Sequence, residues 1–394
     1  MKSRSIPTLL LTILTATAPL AIHAQTSELG QTSKNYISTG MPVLLIAPDA
    51  ISSGMGDAGV ASRPDAYSAH WNNAMWAFAE YDMSFSTSYT PWLRKLGVGD
   101  MNLLYLGGYK RINDRSTVGI SLTYFSLGDI ESTDESGTVT GNMHPNEFAV
   151  DVTYAMKIGD NFALGASGRL NHSDLTNGQT IGTQTTKAAN SLAADIGLYY
   201  QQRMNDQQEW ALGLFISNLG SKLSYSDDDI ANEFLPANMR LGGRYSHQID
   251  EYNSVNVLLD INKLLVPTPP MRKEGETDAE WNARYTDYQK TGVIQGALES
   301  LYDAPGGFSE KLKELQVSAG AEYWYNSTFA ARVGYFYEHE DKGGRQYATV
   351  GAGIRYNILS ADFSYLIPTT QLSNNPLSNT VRISLTLNFE SAKR

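Results

Sequence analysis

Glu147-Phe148-Ala149-Val150-Asp151-Val152-Thr153-Tyr154-Ala155-Met156 is the stretch that decides the fold. Phe148, Val150, Val152, Tyr154 and Met156 take every second place, and Glu147, Ala149, Asp151, Thr153 and Ala155 take the others. Successive side chains of an extended strand point to opposite faces, so this segment has one apolar face and one polar face. The pattern recurs. Val118, Ile120, Leu122 and Tyr124 alternate with Thr117, Gly119, Ser121 and Thr123. Val255, Val257, Leu259 and Ile261 share one face against Ser254, Asn256, Asp260 and Asn262. Val381, Ile383, Leu385, Leu387 and Phe389 do the same against Arg382, Ser384, Thr386 and Asn388. The polar face carries charge deep within strands, at Asp151, Arg240, Arg244, Asp260, Arg355 and Arg382. A wet lumen tolerates that, and so does a solvent face.

The connections separate the two. Fourteen strands are expected, at 82–90, 101–111, 115–127, 147–158, 161–171, 190–202, 209–218, 238–247, 254–263, 314–325, 328–338, 346–357, 360–367 and 379–390. Gaps after odd strands run about 10, 19, 18, 19, 50, 7 and 11 residues, and after even strands about 3, 2, 6, 6, 2 and 2. Long loops on one side, short turns on the other and an even strand count are the arrangement of outer-membrane barrels. A soluble sandwich has no reason to sort its loops this way. Closure also removes exposed strand edges. The expected fold is therefore all-β, a 14-stranded antiparallel transmembrane barrel over 82–394. The 23 tyrosines, many near strand ends, suit aromatic girdles at the two headgroup levels, although strands favour tyrosine in any case.

The remaining features agree with export. Lys2 and Arg4 precede an apolar stretch from Ile6 to Ile22 that ends at Ala24, the pattern of a signal peptide over 1–24. After it no apolar run of about 18 residues occurs, and mean hydropathy is −0.30. There is no cysteine, which removes disulfides, thiolate metal sites and a lipid anchor at the mature N-terminus. A net charge of −11 argues against nucleic acid as the main partner.

Residues 25–81 do not alternate and are long enough to fold into the lumen as a plug. The first strand then runs outward, so the long loops are extracellular. His70 to Tyr81 read as one short helix. Gly54, Gly56 and Gly59 fit a dinucleotide fingerprint, but that needs a βαβ unit, so a close-packed turn beside the wall is expected instead. The loop over 264–313 opens on Val266-Pro267-Thr268-Pro269-Pro270 and then carries a helix capped by Thr277, with Glu280 three residues on. It is too long for mere connection, and reads as a docking surface or as a cap over the mouth. The acidic runs Asp227-Asp228-Asp229 and Asp129, Glu131, Asp134 and Glu135 could hold calcium, but such runs are more often solvated faces. No metal, cofactor or catalytic set is expected.

Leu45-Ile46-Ala47-Pro48-Asp49-Ala50, then Gly54 to Ala61, then His70-Trp71-Asn72-Asn73-Ala74, resemble the start of the PorV/PorQ family, PorV more closely. Pro48, Asp49, Gly54, Gly56, Asp57, Gly59, Trp71 and Asn72 carry the resemblance. It implies a FadL-like barrel of the type IX secretion system. It also implies a carrier that takes the C-terminal signal domain of secreted cargo from a large outer-membrane translocon. The carrier delivers cargo to a surface complex of sortase-like PorU, PorQ and PorZ, which attaches it to lipopolysaccharide. The family has also been linked to lipid A deacylation. FadL-like barrels often have Asn-Pro-Ala where this chain has Asn72-Asn73-Ala74. For cargo contact the candidates are Trp92 and Leu93 in the first loop, and Val266, Pro267, Pro270, Trp281 and Tyr285 in the fifth. Insertion of these apolar groups into outer-leaflet lipid is the alternative. The rival function is a FadL-type transporter of hydrophobic small molecules, which needs an apolar lumenal site and an opening in the wall.

Overall fold

The computed structural model describes residues 36–92, 100–133, 139–176, 178, 180–181, 184–225, 232–273, 275–370 and 380–390. The expected signal peptide, Leu93, Asp134, Glu135 and the Asp227–Asp229 run lie outside them. Fourteen strands form one closed barrel. They are β1 (Met83–Pro91), β2 (Asn102–Arg111), β3 (Ser116–Ser126), β4 (Asn146–Lys157), β5 (Phe162–Asp174), β6 (Ala189–Asn205), β7 (Gln208–Gly220), β8 (Asn238–Gln248), β9 (Asn253–Leu264), β10 (Leu315–Tyr325), β11 (Phe329–Tyr337), β12 (Gln346–Tyr356), β13 (Leu359–Pro368) and β14 (Val381–Phe389). Each pairs antiparallel with its neighbours, and β14 closes on β1 from Met83↔Phe389 to Tyr89↔Ile383. The Phe85 and Phe389 rings meet edge-on at that seam, 6.3 Å apart.

Alternation places the two faces as the sequence requires. Val152, Leu192, Leu241, Val257 and Val333 are exposed on the outside, where lipid replaces water. Asp151, Arg240, Arg244, Asp260 and Arg382 are buried in the lumen. The short turns use residues suited to positive φ. Asn326 and Ser327 have φ of 51° and 50°, matching the right-handed twist of β10 and β11.

Several loops carry structure that alternation did not reveal. Ile130–Thr133 pairs with Val139–Met143, and Leu223–Ser224 pairs with Asn232–Glu233. The fifth long loop folds into helices. The plug contributes α1 (Ala50–Ser53) and α2 (Ser68–Trp71), and the loop contributes α3 (Asp278–Lys290), α4 (Val293–Glu299) and α5 (Gly307–Lys313). The capping box at Thr277 and Glu280 forms in both directions. The single helix expected from His70 to Tyr81 is instead α2 followed by a 3₁₀ segment, Asn73–Phe78. Asn72 is extended between them, and its side chain accepts from the Ala74 N–H at 3.1 Å. An Asx-type bond of this kind competes with helix continuation.

Candidate functional site

The first question is whether the lumen is a path. Residues 41–79 cross it from end to end. The Gly40 N–H donates to the Phe234 carbonyl at the long-loop mouth, and Asp82 joins β1 at the other end. Met41, Val43 and Leu44 close the outward mouth against Leu103, Phe125, Leu223 and Leu235. Trp92 is half-buried in this cluster, edge-on to Phe125 at 6.5 Å. That packing holds it as part of the cap.

Below the cap, the family-motif residues fix the plug to the wall. Asp49 caps α1, accepting from Ser52 N–H at 2.8 Å and Trp71 Nε1 at 2.6 Å. The Pro48 carbonyl accepts from Ser88 of β1. Gly59 and Val60 N–H donate to Asp260 of β9 at 2.7 and 2.9 Å. Asn72 donates to the Val60 and Leu198 carbonyls at 3.1 and 2.9 Å. Tyr347 OH donates to Asp57 at 2.5 Å. Tyr67 reaches across the closing seam, donating to the Thr87 carbonyl at 2.8 Å, with that of Leu385 at 3.0 Å. Gly56 has φ of +69°, and a Cβ there would lie 2.5 Å from Tyr335 N. Gly54 sits against Gly351, and a Cβ on Gly59 would strike the Trp71 ring. The turn anticipated at these glycines is therefore close-packed, with Gly54 and Gly56 against wall backbone and Gly59 against the Trp71 ring.

Charge fills the remaining lumen. Arg169 lies between Asp151 at 2.5 Å and Asp195 at 2.8 Å. Arg332 lies between Glu322 and Asp362, both at 2.7 Å. Arg240 donates to the His70 carbonyl at 2.9 Å and stands over the Trp71 ring. Buried charges persist only when paired or hydrogen-bonded, and these are. A cavity of about 80 Å³ remains, lined by the charged Arg63, Arg244, Glu322, Arg332 and Asp362 and by the apolar Ile51, Met55, Leu258 and Trp324. It is smaller than the roughly 150 Å³ that holds a benzene ring, so it has room for a few waters. The wall shows no gap among the described residues. Strand pairing runs residue by residue, apart from two irregularities between β6 and β7. At the one between Ala194 and Ile196, Asn218 has φ of 61°, and its N–H donates to Asp195 at 2.7 Å. Its side chain donates to the Pro236 carbonyl at 3.0 Å, so the bulge is tied shut.

The outward rim holds the other candidate residues. Thr268 donates to Asp303 from its N–H at 2.6 Å and its hydroxyl at 2.9 Å, drawing the two ends of the loop's helical part together. Val266 and Pro267 are buried, Pro267 in contact range of Gly296 in α4. Neither is available to a partner in this conformation, and α4 covers Pro267. Pro270 is half-buried. Trp281 and Tyr285 stack at 5.8 Å on α3, with Tyr285 exposed. Tyr288 turns inward to Phe234 at 5.8 Å. Arg284 and the Lys273 N–H hold Glu276, and these bonds, Arg284 first, lower its carboxyl to about 2. The rim therefore presents a braced helix with an aromatic pair. Sequence reasoning missed four exposed apolar groups of this loop, Leu301, Tyr302, Phe308 and Leu312. The four-residue spacing of Phe308 and Leu312 was the available signal.

Among solved structures, the toluene transporter TodX of P. putida is similar, at 12% identity and a TM-score of 0.51, covering 87% of this chain and 99% of that one. The toluene transporter TbuX of Ralstonia pickettii is 14% identical over 87% of this chain and 98% of its own, at a TM-score of 0.48. The TodX likeness shows the FadL-like barrel fold. No curated protein matches the chain significantly. A family profile described as "Type IX secretion system protein PorV" matches residues 29–271, which takes in the plug and the wall as far as the fifth loop. The chain belongs to the PorV family of type IX secretion system proteins, built on an outer-membrane barrel of the FadL-like kind.

Proposed function

We propose that the protein is a non-catalytic carrier of the type IX system. Its outward rim grips the C-terminal signal domain of secreted cargo leaving the translocon and presents it to the surface attachment complex. The sortase-like protease PorU, PorQ and PorZ are the expected members of that complex. The observation that supports this most is the contrast between the two ends of the molecule. The lumen is occupied by a plug bonded to the wall, while the outward loops are long and folded. Such a barrel acts through its rim. The α3 helix is the proposed grip, with Trp281 and Tyr285 as anchors and Pro270 at its base, since aromatic groups on a braced element bind at little entropic cost.

The transporter reading rests on neighbours described as toluene transporters. It calls for an apolar lumenal site, whereas this lumen is lined by Arg169, Asp195, Arg332 and Asp362. Replacing residues 272–291 with a short Gly-Ser linker tests the carrier reading. The barrel should keep its heat-modifiable migration, and cargo bearing an uncleaved C-terminal domain should no longer co-purify with it. Cargo recovery equal to that of the parent protein refutes α3 as the grip.

A further inference from the structure

The segment from α4 to α5 is folded over the rim onto the lipid-facing side of the wall. Ala297 of α4 packs with Ala237 and Leu265 and against Ile216, Leu219 and Met239. Met239 and Ile216 alternate with the lumenal residues Arg240 and Phe215, so they belong to the outer face of β7 and β8. The helix then has three flanks, since each residue turns about 100°. Gly296, Ala297 and Ser300 are buried. Gln295 and Glu299 bond to each other at 2.8 Å on the polar flank. Ile294, Leu298 and Leu301, spaced i, i+4, i+7, form an exposed apolar flank adjoining the wall contact. Tyr302 follows at 72% exposed, and Phe308 of α5 is 78% exposed with Leu312 one turn on. The opposite side of α5 is tied to the barrel rim by Lys342 to Glu310 at 2.5 Å and Lys313 to Asp341 at 2.8 Å. Its apolar side therefore points away from the protein.

This patch meets a gap in the barrel's aromatic belt. Towards the long-loop side, outward-facing aromatics occur on β1, β3, β4, β11 and β13 as Tyr89, Tyr124, Phe148, Tyr337 and Tyr365. From β6 to β10 the corresponding positions are Leu192, Leu219, Met239, Ile261 and Val317. Four of these five strands, β6, β7, β8 and β10, carry aromatics at their other ends, Tyr200, Trp210, Tyr245 and Tyr323. Aromatic rings belong at both headgroup levels of such a barrel. We infer that α4 and α5 form a lipid-binding foot. Its apolar flank lies in the acyl–headgroup boundary of the outer leaflet beside β7 to β10, and Tyr302 and Phe308 supply the missing part of the girdle. The partner is the lipid surface itself, continuous with the lipid already covering the wall. Burial of ~5–10 Å is the usual depth for such an amphipathic face. This inference does not rest on the cargo reading; it leaves α3 as the element facing outward.

The chain has no cysteine, so single-cysteine variants report cleanly. Leu298→Cys, Tyr302→Cys and Phe308→Cys, with Asn282→Cys in α3 as the water-exposed reference, are labelled with an environment-sensitive nitrobenzoxadiazole. The full chain is reconstituted in phosphatidylcholine vesicles with plain or dibrominated acyl chains. Heat-modifiable migration is checked for each, and the three positions read independently. The foot predicts blue-shifted emission at 298, 302 and 308, quenched about twofold or more by brominated lipid at the depth of an interfacial helix, with position 282 unaffected. Emission and quenching equal to position 282 would overturn it. So would a blue shift without quenching, which marks a protein contact in place of lipid.

Discussion

Replacing Asp260 with alanine should free the plug while leaving the wall intact. Asp260 is fully buried on β9, and one of its carboxylate oxygens accepts from both the Gly59 and Val60 N–H groups. Hydrogen bonds to a charged acceptor contribute about 1.5–3 kcal/mol each, and a buried donor left without a partner carries a penalty of similar size. Losing two places the cost at ~3–6 kcal/mol, which is ~10²- to 10⁴-fold in a local opening equilibrium. Asp260→Asn keeps an acceptor oxygen but loses the charge, so it should fall between parent and alanine. Hydrogen exchange read by mass spectrometry measures this directly. Peptides covering 56–62 should exchange ~10²- to 10⁴-fold faster in Asp260→Ala, while peptides from β9 and β10 keep their protection, because their ladder bonds do not involve this carboxylate. Plug amides exchanging at the parental rate refute the reasoning. So does equal loss in the wall, which would make the plug and barrel one cooperative unit.

Gly334→Ala should lower the temperature of the heat-modifiable shift, since the new Cβ would lie 2.1 Å from Gly56 N and overpacking costs about 1–3 kcal/mol. Gly168→Ala, with nothing within 4 Å of its Cβ, should leave that temperature unchanged. Tyr36→Cys should react with a membrane-impermeant maleimide on intact cells, because the chain passes inward from the outward mouth at Gly40; Asp206→Cys in an inward turn should not. The Glu276 brace has a lowered folded-state carboxyl, so its contribution is present above the ordinary value of 4.5 and is lost as pH falls towards about 2. A spin label at Asn282→Cys should therefore keep its mobility from neutral pH down to about 5 and loosen between about 4.5 and 2; loosening already near neutral pH contradicts the assignment.

The barrel was legible because its two determinants are local. Alternation from Glu147 to Met156 needs only the pleat, and the parity of loop lengths needs only chain connectivity. The fixing of the plug was less legible. Nothing in the spacing of Gly59 and Asp260 indicates that they meet across 201 positions of sequence, and the charged lumenal face alone fits an open pore as well as a filled one. Trp92, Val266 and Pro267 look like exposed contacts in sequence because they sit in long loops. The structure buries Val266, sets Pro267 against Gly296 of α4, and packs Trp92 into the mouth beside the plug residues Met41, Val43 and Leu44; a fifty-residue insertion forms its own small core, and the plug supplies one at the mouth. Helix α3 stops at Lys290, because Thr291 and Gly292 turn the chain before α4 begins. That break frees α4 to lie against the wall.

The central claim is that this barrel works by its outward rim. A photo-reactive amino acid at Tyr285, cross-linked in intact outer membranes, tests it most directly. The account predicts an adduct containing cargo that still carries its C-terminal signal domain, and no such adduct from Val257 on the lipid-facing wall. Absence of cargo from the Tyr285 adducts, while secretion proceeds normally, would contradict it.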